Sequence, residues 1–181
     1  MKKMMIAFAV LATAFAVQAS NYNWTFGGST YLCVAGDDES YPDGTAYFFN
    51  AATVSQQDVL DAGASGLTGL AYLSALAVIE GETPSASAQF AFGNTGDTLT
   101  GFFAMANGDE LFISETASGV GKDVGVTTIQ FDDLDEVSAL PASTATTFGG
   151  AGWYAAAVPE PTSGLLLLLG VAGLALRRRR A

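Results

Sequence analysis

The stretch GFFAMANGDELFISE, residues 101–115, constrains the fold more than any other part of the sequence. Two apolar-rich runs, residues 101–106 and 109–114, flank the dipeptide Asn107-Gly108. Asn-Gly permits positive φ at both central positions of a type I′ turn, whose twist matches that of a β-hairpin. The stretch therefore predicts two antiparallel strands joined by a tight turn.

Further strand signals lie on both sides of this hairpin. Directly upstream, SAQFAFGNTGDTLTGFF predicts another strand, a turn at residues 93–97 and a return, so that three strands form a meander. GVTTIQF, residues 125–131, is a further strand that places Thr127, Ile129 and Phe131 on one face. Three more strands are predicted from STYLCVA, GTAYFFNAA and TFGGAGWYAAAV.

Helix signals are fewer. Ser55 with Asp58 three residues later forms a weak capping box that opens SQQDVLDAG, and Gly63 is a suitable terminator. LTGLAYLSALAVI leaves helix and strand open. The sequence predicts an all-β fold, an antiparallel β-sandwich with one short helix, made by the domain of residues 20–157.

The N-terminus has the anatomy of a secretory signal peptide. Lys2 and Lys3 precede an uncharged apolar core, residues 4–17, and Val17-Gln18-Ala19 supplies small residues before a cut at Ser20. We expect residues 1–19 to be removed by a signal peptidase.

The C-terminus has three unlike parts in order: Pro159-Glu160-Pro161, an apolar run over residues 164–176, and the arginines Arg177, Arg178, Arg179 and Arg180. A helix of 13 residues spans about 20 Å, against about 30 Å of hydrocarbon. Arginine stems can extend such a helix towards the headgroups, and four arginines favour a cytoplasmic end. The sequence predicts a transmembrane helix over residues 163–176, with the N-terminus outside.

This C-terminal arrangement, residues 158–181, resembles the PEP-CTERM sorting signal, the tail recognised by exosortases in Gram-negative bacteria. The resemblance implies that Pro159, Glu160 and Pro161 are the recognition element of a membrane-embedded, exosortase-like processing enzyme. It also implies transient anchoring in the inner membrane, cleavage near the motif, and delivery to the cell surface or an extracellular matrix. An unprocessed type I membrane protein is the alternative fate of the tail.

Charge and composition exclude several function classes. Residues 20–157 hold one lysine, Lys122, against 17 acids, a formal charge of −16. Such a surface repels phosphate backbones and excludes nucleic-acid binding. The chain has no histidine, which removes Ser-His-Asp and Cys-His catalysis and the usual zinc sites. Cys33, the single cysteine, lies in an apolar stretch and is expected to be a buried, inert thiol.

Two acidic stretches are candidate sites. GDDESYPDG places Asp37, Asp38, Glu39 and Asp43 in a turn-rich loop, and DDLDE supplies Asp132, Asp133, Asp135 and Glu136. Calcium takes six to eight oxygen ligands from such loops. Neither stretch has EF-hand spacing, so a solvated acidic loop is the competing interpretation. The same carboxylates could also serve as a glycosidase pair, whose separation a sequence does not give.

Aromatic residues offer a third candidate, a flat platform for sugars. Its members would come from Trp24, Trp153, Tyr22, Tyr31, Tyr41, Tyr47, Tyr72 and Tyr154. Aromatic residues on strands more often pack in the core. Because Trp153 and Tyr154 are adjacent, a strand should turn one inward and the other outward.

Two functions follow from these patterns. The first is a non-enzymatic surface or extracellular-matrix protein with no cofactor, anchored by its tail and processed by an exosortase. The second is a carbohydrate- or calcium-binding module delivered by the same route, with an exopolysaccharide as its partner.

Overall fold

The structure, a computed structural model, describes residues 19–26, 32–78 and 86–155. In these ranges the chain forms nine strands, two α-helices and a 3₁₀ helix. The strands are β1 (Ala19–Phe26), β2 (Gly44–Asn50), β3 (Tyr72–Val78), β4 (Ala86–Asn94), β5 (Thr98–Asn107), β6 (Glu110–Ile113), β7 (Ala117–Val120), β8 (Val126–Phe131) and β9 (Gly152–Ala155). The helices are α1 (Gln56–Ala62), the 3₁₀ helix (Ala64–Gly69) and α2 (Leu134–Ser138).

The strands form two sheets, which confirms the all-β prediction. The small sheet has the order β4-β1-β8, and the large sheet has the order β3-β2-β5-β6-β9, with β7 also paired to β5. The sandwich is not purely antiparallel, because β1 runs parallel to β8 with Asn21 opposite Val126 and Phe26 opposite Phe131.

The predicted three-strand meander is wrong. β5 and β6 pair as expected, with Asn107 opposite Glu110, but β4 pairs with β1 in the other sheet. The connection between β4 and β5 therefore crosses from sheet to sheet. It is closed by the side chain of Asp97, which accepts a hydrogen bond from the Asn94 amide at 2.7 Å. Gly96, with φ of 87°, makes the reversal possible within the turn that the Asp97 amide closes by donating to the Asn94 carbonyl at 3.1 Å.

The β5–β6 turn differs by one position from the prediction. Asn107 belongs to β5, and the two loop residues are Gly108 and Asp109. Gly108 has φ of 61° and Asp109 has no positive φ, so the loop has the glycine-first pattern of a type II′ turn and not that of a type I′ turn.

The large sheet is covered on both faces. One face packs against the small sheet, in a core that contains Trp24, Phe48, Phe103 and Trp153. The opposite face packs against α1 and the 3₁₀ helix in a second core, which contains Phe49, Val59, Leu67, Phe102 and Tyr154. The domain is therefore a sandwich with a third, helical layer.

The helical layer begins as the sequence predicts. The Ser55 hydroxyl accepts the Asp58 amide at 3.1 Å, and the Asp58 carboxylate accepts the Ser55 amide at 2.8 Å, which completes a capping box. Gly63, with φ of 68°, ends α1. The ambiguous stretch after it divides into the 3₁₀ helix and β3. The structure also has a second α-helix, α2, although the sequence predicted only one helix.

Two other strand predictions are only partly right. GTAYFFNAA contains β2, but residues 32–35 of STYLCVA form no strand: Val34 makes an isolated bridge to Asp37 and the chain turns. This segment is held instead by long-range contacts, since the Trp153 indole donates to the Cys33 carbonyl at 2.9 Å and the Cys33 amide donates to the Ser138 hydroxyl at 2.7 Å. The last strand is shorter than expected, with residues 147–151 outside it.

Candidate functional site

The predicted leader and sorting tail lie outside the described residues, apart from Ala19, which is the first residue of β1. Only the sequence therefore gives information about the sorting motif, Pro159, Glu160 and Pro161, and about the arginines Arg177 to Arg180. Among the described ranges, no helix has the length and apolar character needed to cross a bilayer. The predicted transmembrane helix, residues 163–176, lies beyond those ranges.

The first acidic loop is exposed and already internally bonded. Asp37 accepts the Ser40 hydroxyl at 2.6 Å and the Glu39 amide at 3.0 Å, and these hydrogen bonds lower the pKa of its carboxyl group. Asp38, Glu39 and Asp43 are also solvent-exposed. Across residues 19–26, 32–78 and 86–155, no group of three or more acidic or cysteine side chains is arranged to hold a metal ion. Calcium binding stays a prediction.

The second acidic stretch surrounds the start of α2. Asp133 adopts a left-handed conformation with φ of 56° just before the helix, and Asp135 and Glu136 occupy its first turn, where carboxylates favour the helix dipole. Asp132 accepts the Gln130 side-chain amide at 2.6 Å. These local roles explain why the four acids occur here without invoking a bound metal ion.

Cys33 is buried, as expected, with 2% of its surface exposed. Its sulfur lies 3.7 Å from the Asp38 carbonyl oxygen. Burial, followed by the nearby carboxylates, raises the pKa of the thiol, although the hydrogen bond with Ser138 opposes the change. A thiol held in the neutral form is a poor nucleophile.

The aromatic residues are mainly core residues. Trp24, Trp153, Tyr22 and Tyr154 are buried, so they form no sugar platform. Trp153 and Tyr154 are both buried because the two faces of β9 enter the two different cores. The expectation that one would face outward is therefore wrong.

Two tyrosines remain accessible on the helical side of the large sheet. Tyr72 is 44% exposed and its ring meets that of the half-buried Tyr47 edge-on, with centroids 4.9 Å apart. An edge-on pair offers no flat surface of two coplanar rings for stacking on a sugar. Tyr41 is half-buried, and Tyr31 lies outside the described residues.

A groove that the sequence did not suggest opens where β9 ends. It has a volume of about 210 Å³ and lies between the helical layer, the β5–β6 hairpin and residues 144–146. Its floor is apolar, with Leu60, Leu111 and Tyr154, and its rim carries the exposed carboxylates of Asp61 and Asp109. We name these residues the tail-end groove, because Ala155, the last described residue before the sorting tail, also lines it.

No local signal marks this groove in the sequence. Asp61 belongs to the capped helix and Asp109 to the hairpin turn, and only the packing of the helical layer on the large sheet brings them together.

Comparison with known proteins identifies the tail. Neither the curated proteins nor the solved structures contain a significant match to this chain. One family model matches, the PEP-CTERM protein-sorting motif, over residues 157–180. This range begins and ends one residue before the segment 158–181 expected from the residues, and it contains Pro159-Glu160-Pro161, the apolar run and all four arginines. The chain therefore carries a PEP-CTERM protein-sorting motif and is a surface-targeted protein of the kind that exosortases process.

Proposed function

We propose that the chain is a non-enzymatic surface or extracellular-matrix protein, delivered by export, transient anchoring in the inner membrane and exosortase processing at Pro159-Glu160-Pro161. The observation that carries the proposal is the match of residues 157–180 to the PEP-CTERM sorting motif. The motif directly follows β9, so the folded domain precedes the processing site by only three residues, 156–158.

The chemistry of the domain supports a structural role over catalysis. The chain has no histidine, its one thiol is buried, and its acidic loops are exposed and locally bonded. General acid–base and nucleophilic catalysis need groups with matched pKa values that meet in a cleft. In the described ranges, the tail-end groove has two exposed aspartates, Asp61 and Asp109, for neither of which is a catalytic partner in place.

The intact mass of the protein recovered from the native cell surface or medium tests the proposal. We expect loss of residues 1–19 and a C-terminus near Pro159 to Pro161, with any extra mass identifying an attached anchor. A Glu160→Gln variant should keep its tail, whereas the matched change Glu136→Gln, at an acid in α2, should be processed normally. Wild-type protein that still contains Arg177 to Arg180 would contradict exosortase processing and leave a membrane-anchored domain.

A further inference from the structure

We infer that copies of this chain assemble head to tail, with the loop between β7 and β8 of one copy seated in the tail-end groove of the next. The inference goes beyond delivery to the surface and names the partner, a second copy. It rests on the proposed function only for where assembly takes place, since the contact itself depends on described residues.

The first surface is an exposed apolar patch, which we name the head patch: Val120, Lys122, Val124 and Val126. Five large apolar side chains are exposed among the described residues, and three of them belong to this patch. Val120 is 54% exposed, Val124 is 85% exposed and Val126 is 37% exposed. The three valines lie within the seven residues 120–126, and exposed apolar surface of this kind often marks an interaction site.

The backbone of the head patch is fixed although its side chains are exposed. The Val120 carbonyl accepts the Thr127 hydroxyl at 2.7 Å, and the Lys122 carbonyl accepts the Ser20 hydroxyl at 3.2 Å. Gly121 exchanges backbone hydrogen bonds with the β4–β5 turn, at 2.9 Å to Asp97 and 2.8 Å from Gly96. A preorganised loop loses little entropy when it binds.

Charge distinguishes the head patch from the rest of the domain. Lys122 is exposed and is the one basic residue of residues 20–157, which otherwise carry 17 acids. Asp123 stands beside it, so the patch is close to neutral on a strongly acidic molecule. The head patch of one copy is therefore complementary to a site on another copy that is apolar in the middle and acidic at its rim.

The tail-end groove is such a site. Leu60, Leu111 and Tyr154 line it with apolar surface, and its volume of about 210 Å³ has room for a branched aliphatic side chain such as that of Val124. Asp61 and Asp109 stand exposed at the rim, where they can meet Lys122. The groove thus offers the partner surface that the head patch lacks within its own copy.

The two surfaces lie at opposite ends of the domain. Val120 pairs with Thr98, the first residue of β5, whereas Asp109 lies two residues beyond Asn107, the last residue of β5. A strand of 10 residues spans about 30 Å. A copy therefore cannot place its own head patch in its own groove. A contact between unlike surfaces is heterologous, so it adds copy after copy and forms a ring or an open filament, depending on the rotation between neighbours.

Disulfide cross-linking of the full chain in mild detergent tests this contact. Eight residues, 156–163, lie between Ala155 and the apolar run that starts at Gly164, which allows up to about 30 Å between groove and micelle. We place one cysteine in the head patch, Val124→Cys, and another in an exposed residue of the groove, Ala145→Cys. Wild-type chain measures the background from Cys33.

Mixing the two variants under mild oxidant should give a mixed dimer, and a chain with both changes should give a ladder of multimers. Leu140→Cys is the matched control, because Leu140 is 60% exposed but lies in neither surface. Mixed dimers no more abundant than with Leu140→Cys would overturn the inference. Dimers of Val124→Cys with itself alone would also overturn it, since they show patch-to-patch pairing.

Charge variants test the orientation of the contact. Lys122→Glu should lower the yield of mixed dimer about fivefold, because an exposed attraction becomes a repulsion. Lys122→Arg should leave the yield unchanged, and Asp123→Asn should raise it. Asp61→Lys in the groove partner should restore the yield with Lys122→Glu. An equal yield in all four cases would contradict the proposed seating of Lys122 at the groove rim.

Discussion

Gly101 is the position at which one added methyl group should destabilise the domain most directly. It lies in β5 opposite Asn50 of β2, in the centre of the large sheet. A Cβ atom there would lie 2.3 Å from Cζ of Phe48 and 2.6 Å from the carbonyl oxygen of Phe49. The perturbation is Gly101→Ala.

The size of the effect follows from what surrounds Phe48. Carbon atoms pack best at about 3.5–4.0 Å, so the ring would have to retreat by about 1 Å or more. It has no free direction, because its centroid lies 5.6 Å from that of Trp24 and 5.4 Å from that of Phe90. The Phe49 carbonyl is backbone and moves only with β2. Overpacking costs about 1–3 kcal/mol, and we expect about 3 kcal/mol here.

Unfolding in urea, followed by tryptophan fluorescence, measures this loss, because both tryptophans, Trp24 and Trp153, are buried. The melting temperature should fall by about 10 °C for a domain of this size. Gly149→Ala is the matched control, since no atom lies within 4 Å of its added Cβ and its φ is not positive. Equal stability of Gly101→Ala and wild type would refute the packing of β2 on β5 described here.

Three further predictions concern smaller contacts. Ser55→Ala removes the cap of α1 and should cost about 1 kcal/mol in urea unfolding. Ser55 also lowers the pKa of the Asp58 carboxyl group by donating its hydroxyl to the carboxylate. The part of the cap that depends on this carboxylate is present above the ordinary aspartate pKa of about 3.9 and is lost as the pH falls through the lower pKa of the folded state. The difference in melting temperature between variant and wild type should therefore shrink in acid, and a constant difference would contradict the linkage. Trp153→Phe leaves the buried Cys33 carbonyl without its donor and should cost about 2 kcal/mol, measured by thermal unfolding. The Cys33 thiol should resist a disulfide reagent in native protein and react fully in urea; rapid native reaction would show that the thiol is not buried.

The sequence predicted elements whose signals are local. β8 alternates as expected, with Thr127, Ile129 and Phe131 buried and the residues between them exposed. The capping box of Ser55 and Asp58 and the terminator Gly63 fix both ends of α1 within nine residues of chain. Neither case needs information from distant residues.

The sheet to which each strand belongs was not predicted, although the pattern of apolar and polar residues along the strands carries a usable signal. β4 and β8 alternate between inward and outward residues, as suits an outer sheet with one solvated face. β5 instead carries a continuous apolar run over residues 101–105, which are buried in succession because the large sheet is covered on both faces. This contrast would have assigned β4 and β5 to different sheets. The turn sequence between them does not do so, because it suits a hairpin within one sheet as well as a crossover between two sheets.

The candidate sites divide in the same way. The sorting motif is contiguous and was found from its residues alone. The tail-end groove combines Leu60, Asp109 and Tyr154, which are distant in the chain, and it exists only once the helical layer has packed on the large sheet. The strand prediction for residues 32–35 was wrong for the same reason, since the conformation of this segment depends on contacts with Ser138 and Trp153.

The position of β1 has a consequence for the timing of folding. β1 is the first of the described strands along the chain, yet it lies in the middle of the small sheet, and its parallel partner β8 is the eighth of the nine. Pairings between such distant segments form slowly, over milliseconds to seconds. Tyr22, Trp24 and Phe26 are therefore fully covered only after β8 has joined β1, and until then β1 exposes apolar surface that favours aggregation.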